Sequence, residues 1–426
     1  MSSMKYKNNL ENNNNKKIIN KITIFILTII FILLVFTLGF ILGRLGFNAA
    51  WQNGEFKYSL KGRLYPEEKS IDFDLFWEVW NQLESTYVEK SLDEQDMFYG
   101  AIKGLVLSLD DPATRFFDPS ETLEYEEEKA GKFDGIGVLL DYLNNKVVIK
   151  EVFENTPASI GGLKDGDIIY KVNDEDVTGI EIYEVVKKIR GEKGTIVKIT
   201  VTRQDQELSF DIERDEVYVE SISWEMRDDG IADITVRRFT ESNISEFFDL
   251  WDKVVNEVVE AQPKGIIIDL RGNGGGYLDG AIYLAGEFLK KGDVVLYIQD
   301  REGVKAPQKV TRSGKLLTLP VVLLVDSGTA SSSEIFAGAL QYYQRAKVIG
   351  EDTYGKGTAQ DVIEPESWNG ASIHITTQKW LLPDQRWINH DDPVNPDIKV
   401  EVTIEQIKKG DDPQLDKALE QIKSEM

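Results

Sequence analysis

The sequence contains no cysteine and only two histidines, His374 and His390. The first absence removes disulfides, thiol nucleophiles and thiolate metal sites together. The second leaves too few imidazoles for a zinc peptidase, and no His-Glu-x-x-His occurs. Basic residues are scarce relative to acidic ones: 49 Lys and Arg stand against 73 Asp and Glu, a formal net charge of −24 at pH 7. That balance argues against a nucleic-acid surface, which needs a basic patch. The glycine run Gly272-Asn-Gly-Gly-Gly276 has neither the P-loop spacing with its Lys-Ser/Thr ending nor the full dinucleotide fingerprint. No Gly-x-Ser-x-Gly elbow surrounds Ser331. No metal, cofactor or nucleic acid is expected.

What is present begins with a long apolar run. Residues 1–21 are polar and Asn-rich, with Lys5, Lys7, Lys16, Lys17 and Lys21, and are read as a cytoplasmic tail. Ile22 to Gly43 then carries no charge, and a helix of about 20 apolar residues spans a bilayer. With the lysines before the span and only Arg44 close after it, the amino end is expected inside and the rest of the chain outside. A cleaved signal peptide has an apolar core of about 7–15 residues, shorter than this one, although Ala49-Ala50 offers a weak cleavage site. The expectation is an uncleaved single-pass anchor in the cell membrane, residues 22–43, with the rest of the chain extracytoplasmic.

The length of 426 residues suggests two or three domains rather than one core. Residues 45–70 have no clear period and are read as a linker. Residues 71–130 are read as a helical segment: Phe73, Phe76, Trp77, Trp80, Leu83 and Tyr87 share one helical face, and a second helix is predicted near Gln95–Leu109. Residues 131–211 alternate as a small β domain with one helix, Ile182–Arg190. From about 217 to 405 the pattern is α/β. Gly230–Val236 and Lys264–Arg271 read as strands, a helix is capped by Asn243, and another starts near Leu278. Strands near Ala371–Lys379 and Asn395–Val400 follow. Residues 406–426 are read as a C-terminal helix, with Leu415, Leu419 and Ile422 on one side.

The chemistry concentrates in two stretches. Val321–Val325 is an apolar run of strand length, followed by Asp326-Ser-Gly328, Ser331-Ser-Ser333, and a helix with Ile335, Phe336 and Leu340 at helical spacing. Backbone N–H groups at a helix start are unpaired and can stabilise an oxyanion; Ser331-x-x-Glu334 is also a capping box. Lys356 lies between Gly355 and Gly357. A serine nucleophile needs a base, usually histidine, but a desolvated lysine can serve because burial lowers its pKa. A solvated loop lysine is the ordinary alternative.

Thr329-Ala-Ser-Ser-Ser-Glu-Ile-Phe-Ala-Gly-Ala-Leu-Gln341 and Tyr354-Gly-Lys-Gly-Thr-Ala-Gln360 closely resemble the carboxyl-terminal processing (tail-specific) serine proteases, and the match extends over most of the chain from about residue 70. The resemblance implies that Ser331 is the nucleophile, Lys356 its general base and Gln360 the side chain that orients the lysine. It implies an oxyanion hole made by the N–H of Ser332 and that of Gly275 or Gly276. Gly135-Ile-Gly-Val138, with Asn155-Thr-Pro-Ala158 and Gly161–Ile169, resembles a PDZ domain in which Gly135, Ile136, Gly137 and Val138 bind a peptide's free carboxylate. Ile160-Gly161 departs from the usual Lys-Ala, as do Asp384-Gln385 and His390-Asp-Asp-Pro393 from the usual turns. The resemblance also implies dimer contacts from the 71–130 region.

The expected fold is α+β and multidomain: an N-terminal membrane helix, a helical segment, a PDZ β domain and an α/β serine protease core. The expected activity is membrane-anchored endoproteolysis near protein carboxyl termini, on protein or peptide substrates with free apolar ends. A catalytically inactive PDZ adaptor at the membrane is the alternative from another class, and the intact Ser331, Lys356 and Gln360 argue against it. A trypsin-like order fails because both histidines follow Ser331; a Ser…Asp…His390 hydrolase lacks the elbow.

Overall fold

The computed structural model describes residues 25–41, 47–52, 55–60, 73–89, 91–143, 146–180 and 182–426. It divides into two compact units, residues 1–92 and 93–426.

In the first unit, residues 25–41 are helical and exposed. The ends of the expected anchor, 22–24 and 42–43, lie outside the described residues, as does the expected tail, 1–21. Among the described residues no helix is long and apolar enough to cross a membrane. Part of the stretch read as a linker is paired: Phe47–Gln52 runs antiparallel to Glu55–Leu60. The helix predicted from Phe73 is present as Asp74–Thr86, and none of its residues is buried.

In the second unit, the helix Glu94–Leu107 leads to a short strand, Arg115–Phe117, and a helix, Pro119–Lys129. A sheet of PDZ type follows. Its strands run in the order Gln206–Glu213, Ile196–Arg203, Ile168–Val172, Lys146–Val152 and Val138–Leu143, and Glu175–Asp176 pairs beside Ile168–Val172. The sheet wraps a core of Val147, Ile149, Ile169, Val185, Val197, Ile199 and Val201, all buried, and the helix Ile182–Ile189 lies against it. Gly135 lies outside the Val138–Leu143 strand and ends a separate one: Lys132–Gly135 pairs with Asp215–Tyr218.

The protease region is built on a six-stranded sheet in the order Ile222–Met226, Ile231–Val236, Gly265–Asp269, Val321–Val325, Lys347–Gly350 and Ile398–Lys399. All but the first pairing are parallel. Strands buried on both faces need apolar residues at every position, and Val321–Val325 is completely buried. Alternate residues serve opposite layers. Ile266, Ile268, Val321, Leu323 and Val325 pack with Phe247, Trp251, Ile335 and Phe336 of the helices on one face. Ile267, Val322, Leu324 and Ile349 meet Ala418 and Ile422 on the other. The C-terminal segment, read as one helix, is two, Ile404–Lys409 and Pro413–Glu425, separated at Gly410, which adopts φ +74°. A second sheet of five strands was not anticipated as a unit: Lys305–Lys309, Val294–Gln299, Ser372–Leu381 and Thr358–Ile363, with Arg115–Phe117 pairing to Ser372–Leu381.

Candidate active site

Three loops leave the carboxyl ends of three adjacent parallel strands and meet. Crevices at that end of a parallel sheet are the usual ligand sites of α/β folds. Gly272–Gly276 follows Gly265–Asp269, Ser331 follows Val321–Val325, and Lys356 follows Lys347–Gly350.

Ser331 is the N-cap of the helix Ser332–Tyr342 and adopts φ 56°, ψ −118°, outside the ordinary helical and extended regions. A non-glycine residue held there is strained, and such strain clusters at active sites. Glu334 completes the capping box, its Oε2 accepting the Ser331 N–H at 2.8 Å. The two serines that follow are tied down: Ser332 Oγ donates to Gly276 O at 2.9 Å and Ser333 Oγ to Asn273 O at 3.0 Å. Gly275 adopts φ +101°, and a Cβ there would stand 2.7 Å from Ser331 Cβ and 2.9 Å from Ser332 N. That approach requires glycine. The Gly275 N–H donates to Asn273 Oδ1 at 2.9 Å. The N–H groups of Gly276 and Ser332 have no acceptor among the described residues.

Lys356 is partly buried. Burial pushes its amine below the ordinary lysine value, and the charges of Asp111 and Glu334 pull the other way. Its amine makes no hydrogen bond or ion pair among the described residues. The turn around it is fixed from both sides. The Gly355 and Lys356 N–H groups donate to Glu334 at 2.7 and 2.9 Å, while Gly357 O accepts Trp387 Nε1 at 2.9 Å and Trp380 N at 3.1 Å. Gln360 Nε2 donates to Thr358 Oγ1 and Thr376 Oγ1, both at 3.1 Å, with no bond to the lysine.

One cleft of about 580 Å³ is lined by Ser331, Ser332, Gly275, Gly276, Lys356 and Gln360, with Leu278, Ile335 and Trp380 as apolar wall. His374 also lines it, wedged between Phe117 and Tyr125 at ring-centroid distances of 4.6 Å, and burial lowers its pKa. His390 accompanies Tyr354 rather than the serine. No cluster of His, Cys, Asp or Glu among the described residues could hold a metal ion.

The expected peptide-binding loop lies elsewhere. Gly137 adopts φ +82°, and a Cβ on it would stand 2.4 Å from Thr156 Cβ. The N–H groups of Ile136 and Gly137 have no acceptor among the described residues, while Ile136 O accepts Ala158 N at 2.7 Å. A link runs from this domain to the core. Lys150, on the strand Lys146–Val152, places Nζ 2.6 Å from Asp326 Oδ2. Burial is the largest influence on Lys150 and lowers its pKa, but the charge and hydrogen bond of Asp326, with the charge of Asp141, together outweigh it, so the net shift is upward. Asp326 also accepts Gly272 N and Gly328 N at 2.8 and 3.0 Å.

Several of these roles were not read from the sequence. Glu334 was seen only as a capping partner, because Thr353, Gly355 and Lys356 approach it from a different loop. Asp111, Asn273 and Trp387 carried no local signal beyond the turns they occupy.

A domain of PDZ type joined to an α/β core with a strained serine at a strand-to-helix turn defines a PDZ-bearing serine peptidase. The comparisons with known proteins agree. Residues 230–400 match the model of peptidase family S41, and residues 125–202 that of the PDZ domain. The chain is 35% identical over 345 residues to the carboxy-terminal processing protease CtpA of Bacillus subtilis strain 168, covering 81% of this chain and 72% of that protein. It is 33% identical over 328 residues to a probable CtpA-like serine protease of Staphylococcus epidermidis, covering 76% of this chain and 64% of that one. Among solved structures, a putative S41 protease from Bacteroides fragilis aligns with a TM-score of 0.57 at 15% identity, over 85% of this chain and all of that one. The photosystem II D1 C-terminal processing protease aligns with a TM-score of 0.54 at 24% identity, over 79% and 96%. The chain belongs to peptidase family S41, the carboxy-terminal processing proteases, and is a serine-type endopeptidase.

Proposed function

We propose that this chain cleaves proteins near their carboxyl termini with a Ser331–Lys356 dyad. The observation that carries the reading is a strained serine and a desolvated lysine, unpartnered among the described residues, lining one cleft. Ser331 Oγ attacks the scissile carbonyl carbon while Lys356 Nζ, neutral, takes the hydroxyl proton. The tetrahedral oxyanion is received by the N–H groups of Ser332 and Gly276; Gly276 is preferred to Gly275, whose N–H is held by Asn273. Each such donor contributes about 10²–10³ in rate. The Lys356 ammonium then protonates the leaving amine, and a water activated by the same amine hydrolyses the acyl-enzyme. Gln360, in the same cleft, orients Lys356 once substrate is bound.

The PDZ-type domain, residues 131–211, receives the substrate's free carboxylate at Gly135–Val138, where the Ile136 and Gly137 N–H groups lack acceptors among the described residues, and an apolar last residue enters beside the helix Ile182–Ile189. Residues 22–43 anchor the chain in the cell membrane with the catalytic part outside, supported by the lysines before the span and by the exposed apolar helix at 25–41. The exposed aromatic face of Asp74–Thr86 serves a second copy in a homodimer. The test of the activity uses the full chain in detergent with a model protein ending in an apolar tail. Ser331→Ala should lose cleavage while keeping its fold, since only a capping oxygen worth about 1 kcal/mol is removed; cleavage at the wild-type rate would reject the nucleophile.

A further inference from the structure

The dyad's two loops are joined by a residue that touches neither substrate nor reacting atoms. Glu334 is completely buried. Its Oε2 accepts the N–H of Ser331 at 2.8 Å and of Lys356 at 2.9 Å. Its Oε1 accepts the N–H of Gly355 at 2.7 Å and the hydroxyl of Thr353 at 2.6 Å. Thr353 is itself held to the segment after Trp387, its Oγ1 accepting Val394 N at 3.0 Å and its N–H donating to Val394 O at 3.2 Å.

A capping box explains only the first of these contacts, since it needs nothing from another loop. One oxygen shared by the backbone N–H groups of the serine and the lysine fixes the two backbones to a common point. Alignment of reacting groups governs rate steeply: a displacement of about 1 Å costs roughly 10²-fold. The group's charge is also one of the two that oppose the desolvation of the Lys356 amine.

We propose that Glu334 is a positioning residue for peptide cleavage, its carboxylate setting the Ser331 turn and the Gly355–Lys356 turn at the separation the chemistry needs. The inference rests on the Ser331–Lys356 reading and adds to it. An amide has one accepting oxygen and a donating nitrogen, so Glu334→Gln sets donor against donor at one of the two pairs while keeping size and shape.

The test is steady-state kinetics of the full chain as a function of pH, on a peptide substrate, for wild type, Glu334→Gln and Thr353→Val, with Ser331→Ala and Lys356→Ala as reference variants. For Glu334→Gln, kcat should fall about 10²-fold with KM within about two-fold. Its acid limb should move to lower pH, because a charge that favours the ammonium is gone. Thr353→Val keeps the carboxylate and removes one donor; kcat should fall by roughly ten-fold with the acid limb unmoved. Wild-type kcat in either variant would overturn the proposal. So would a loss of kcat in Glu334→Gln with an unmoved acid limb, which marks a packing role only, or a change confined to KM. Activity in Ser331→Ala or Lys356→Ala would instead reject the dyad, whatever Glu334 does.

Discussion

Lys356 is where folding and chemistry make opposite demands on one amine. Burial lowers its pKa, while Asp111 and Glu334 partly restore it. The proton-accepting form is the neutral one, so turnover should rise with pH through the lowered pKa and be lost below it. The same shift leaves the native state binding fewer protons than the unfolded chain between the lowered value and 10.5, so this group's effect on stability becomes more favourable as pH rises across that window. Lys356→Arg should be inactive, because a guanidinium does not deprotonate. Lys356→Met should be inactive too, yet unfold in urea at pH 7 with a free energy equal to wild type or higher by about 1 kcal/mol, since a desolvated amine is replaced by an apolar chain. Near-normal turnover in Lys356→Arg, read in the same peptide assay, would contradict the base assignment. His374 lines the cleft with a burial-lowered pKa, but no step requires it.

At the scale of the element, the sequence was most readable where one physical requirement dominated. Val321–Val325 had to be apolar at every position because both faces are covered, and its bounds are those expected. Asn243 was readable as a cap because its side chain accepts Glu246 N at 3.1 Å within one turn. The helix Pro119–Lys129, inside the segment read as helical, was not picked out as an element because five of its eleven residues are glutamate and it shows no apolar stripe, although Asp118, accepting Ser120 N and Glu121 N at 3.0 Å, is a local start signal. The five-stranded sheet was missed because its register comes from distant partners: Ser372 opposes Phe117, and Tyr297 opposes Leu381. The site's loops were legible as glycine-rich turns, but not their mutual approach. Gly275 tests that approach. Its φ of +101° and the 2.7 Å between an added Cβ and Ser331 Cβ mean that Gly275→Ala must push the serine turn aside, at about 1–3 kcal/mol of backbone strain. The variant should stay folded by circular dichroism and lose at least about 10²-fold in kcat; an unchanged kcat would show that the turn yields freely.

For the whole molecule, the PDZ domain preceding the protease domain was readable from motif, and the ties between them were not. Lys150 and Asp326 are 176 residues apart in sequence and 2.6 Å apart in space, a pairing that no local pattern encodes. The proposed anchoring at residues 22–43 carries an orientation: with Lys5, Lys7, Lys16, Lys17 and Lys21 before the apolar run, the catalytic part should lie outside. Protease added to intact spheroplasts should then digest the domains after Arg44. Protection until the membrane is lysed would reverse the orientation.

If Lys356 makes Ser331 nucleophilic, a fluorophosphonate that phosphonylates activated serines reads this directly. Full-length wild type, Ser331→Ala and Lys356→Ala would be labelled at one pH and the modified peptide located by mass spectrometry. A base role for Lys356 predicts a single adduct on Ser331 in wild type, none in Ser331→Ala, and labelling slowed by about 10²-fold or more in Lys356→Ala, in line with the worth of a general base. An adduct on another serine, or labelling of Lys356→Ala at the wild-type rate, would contradict it.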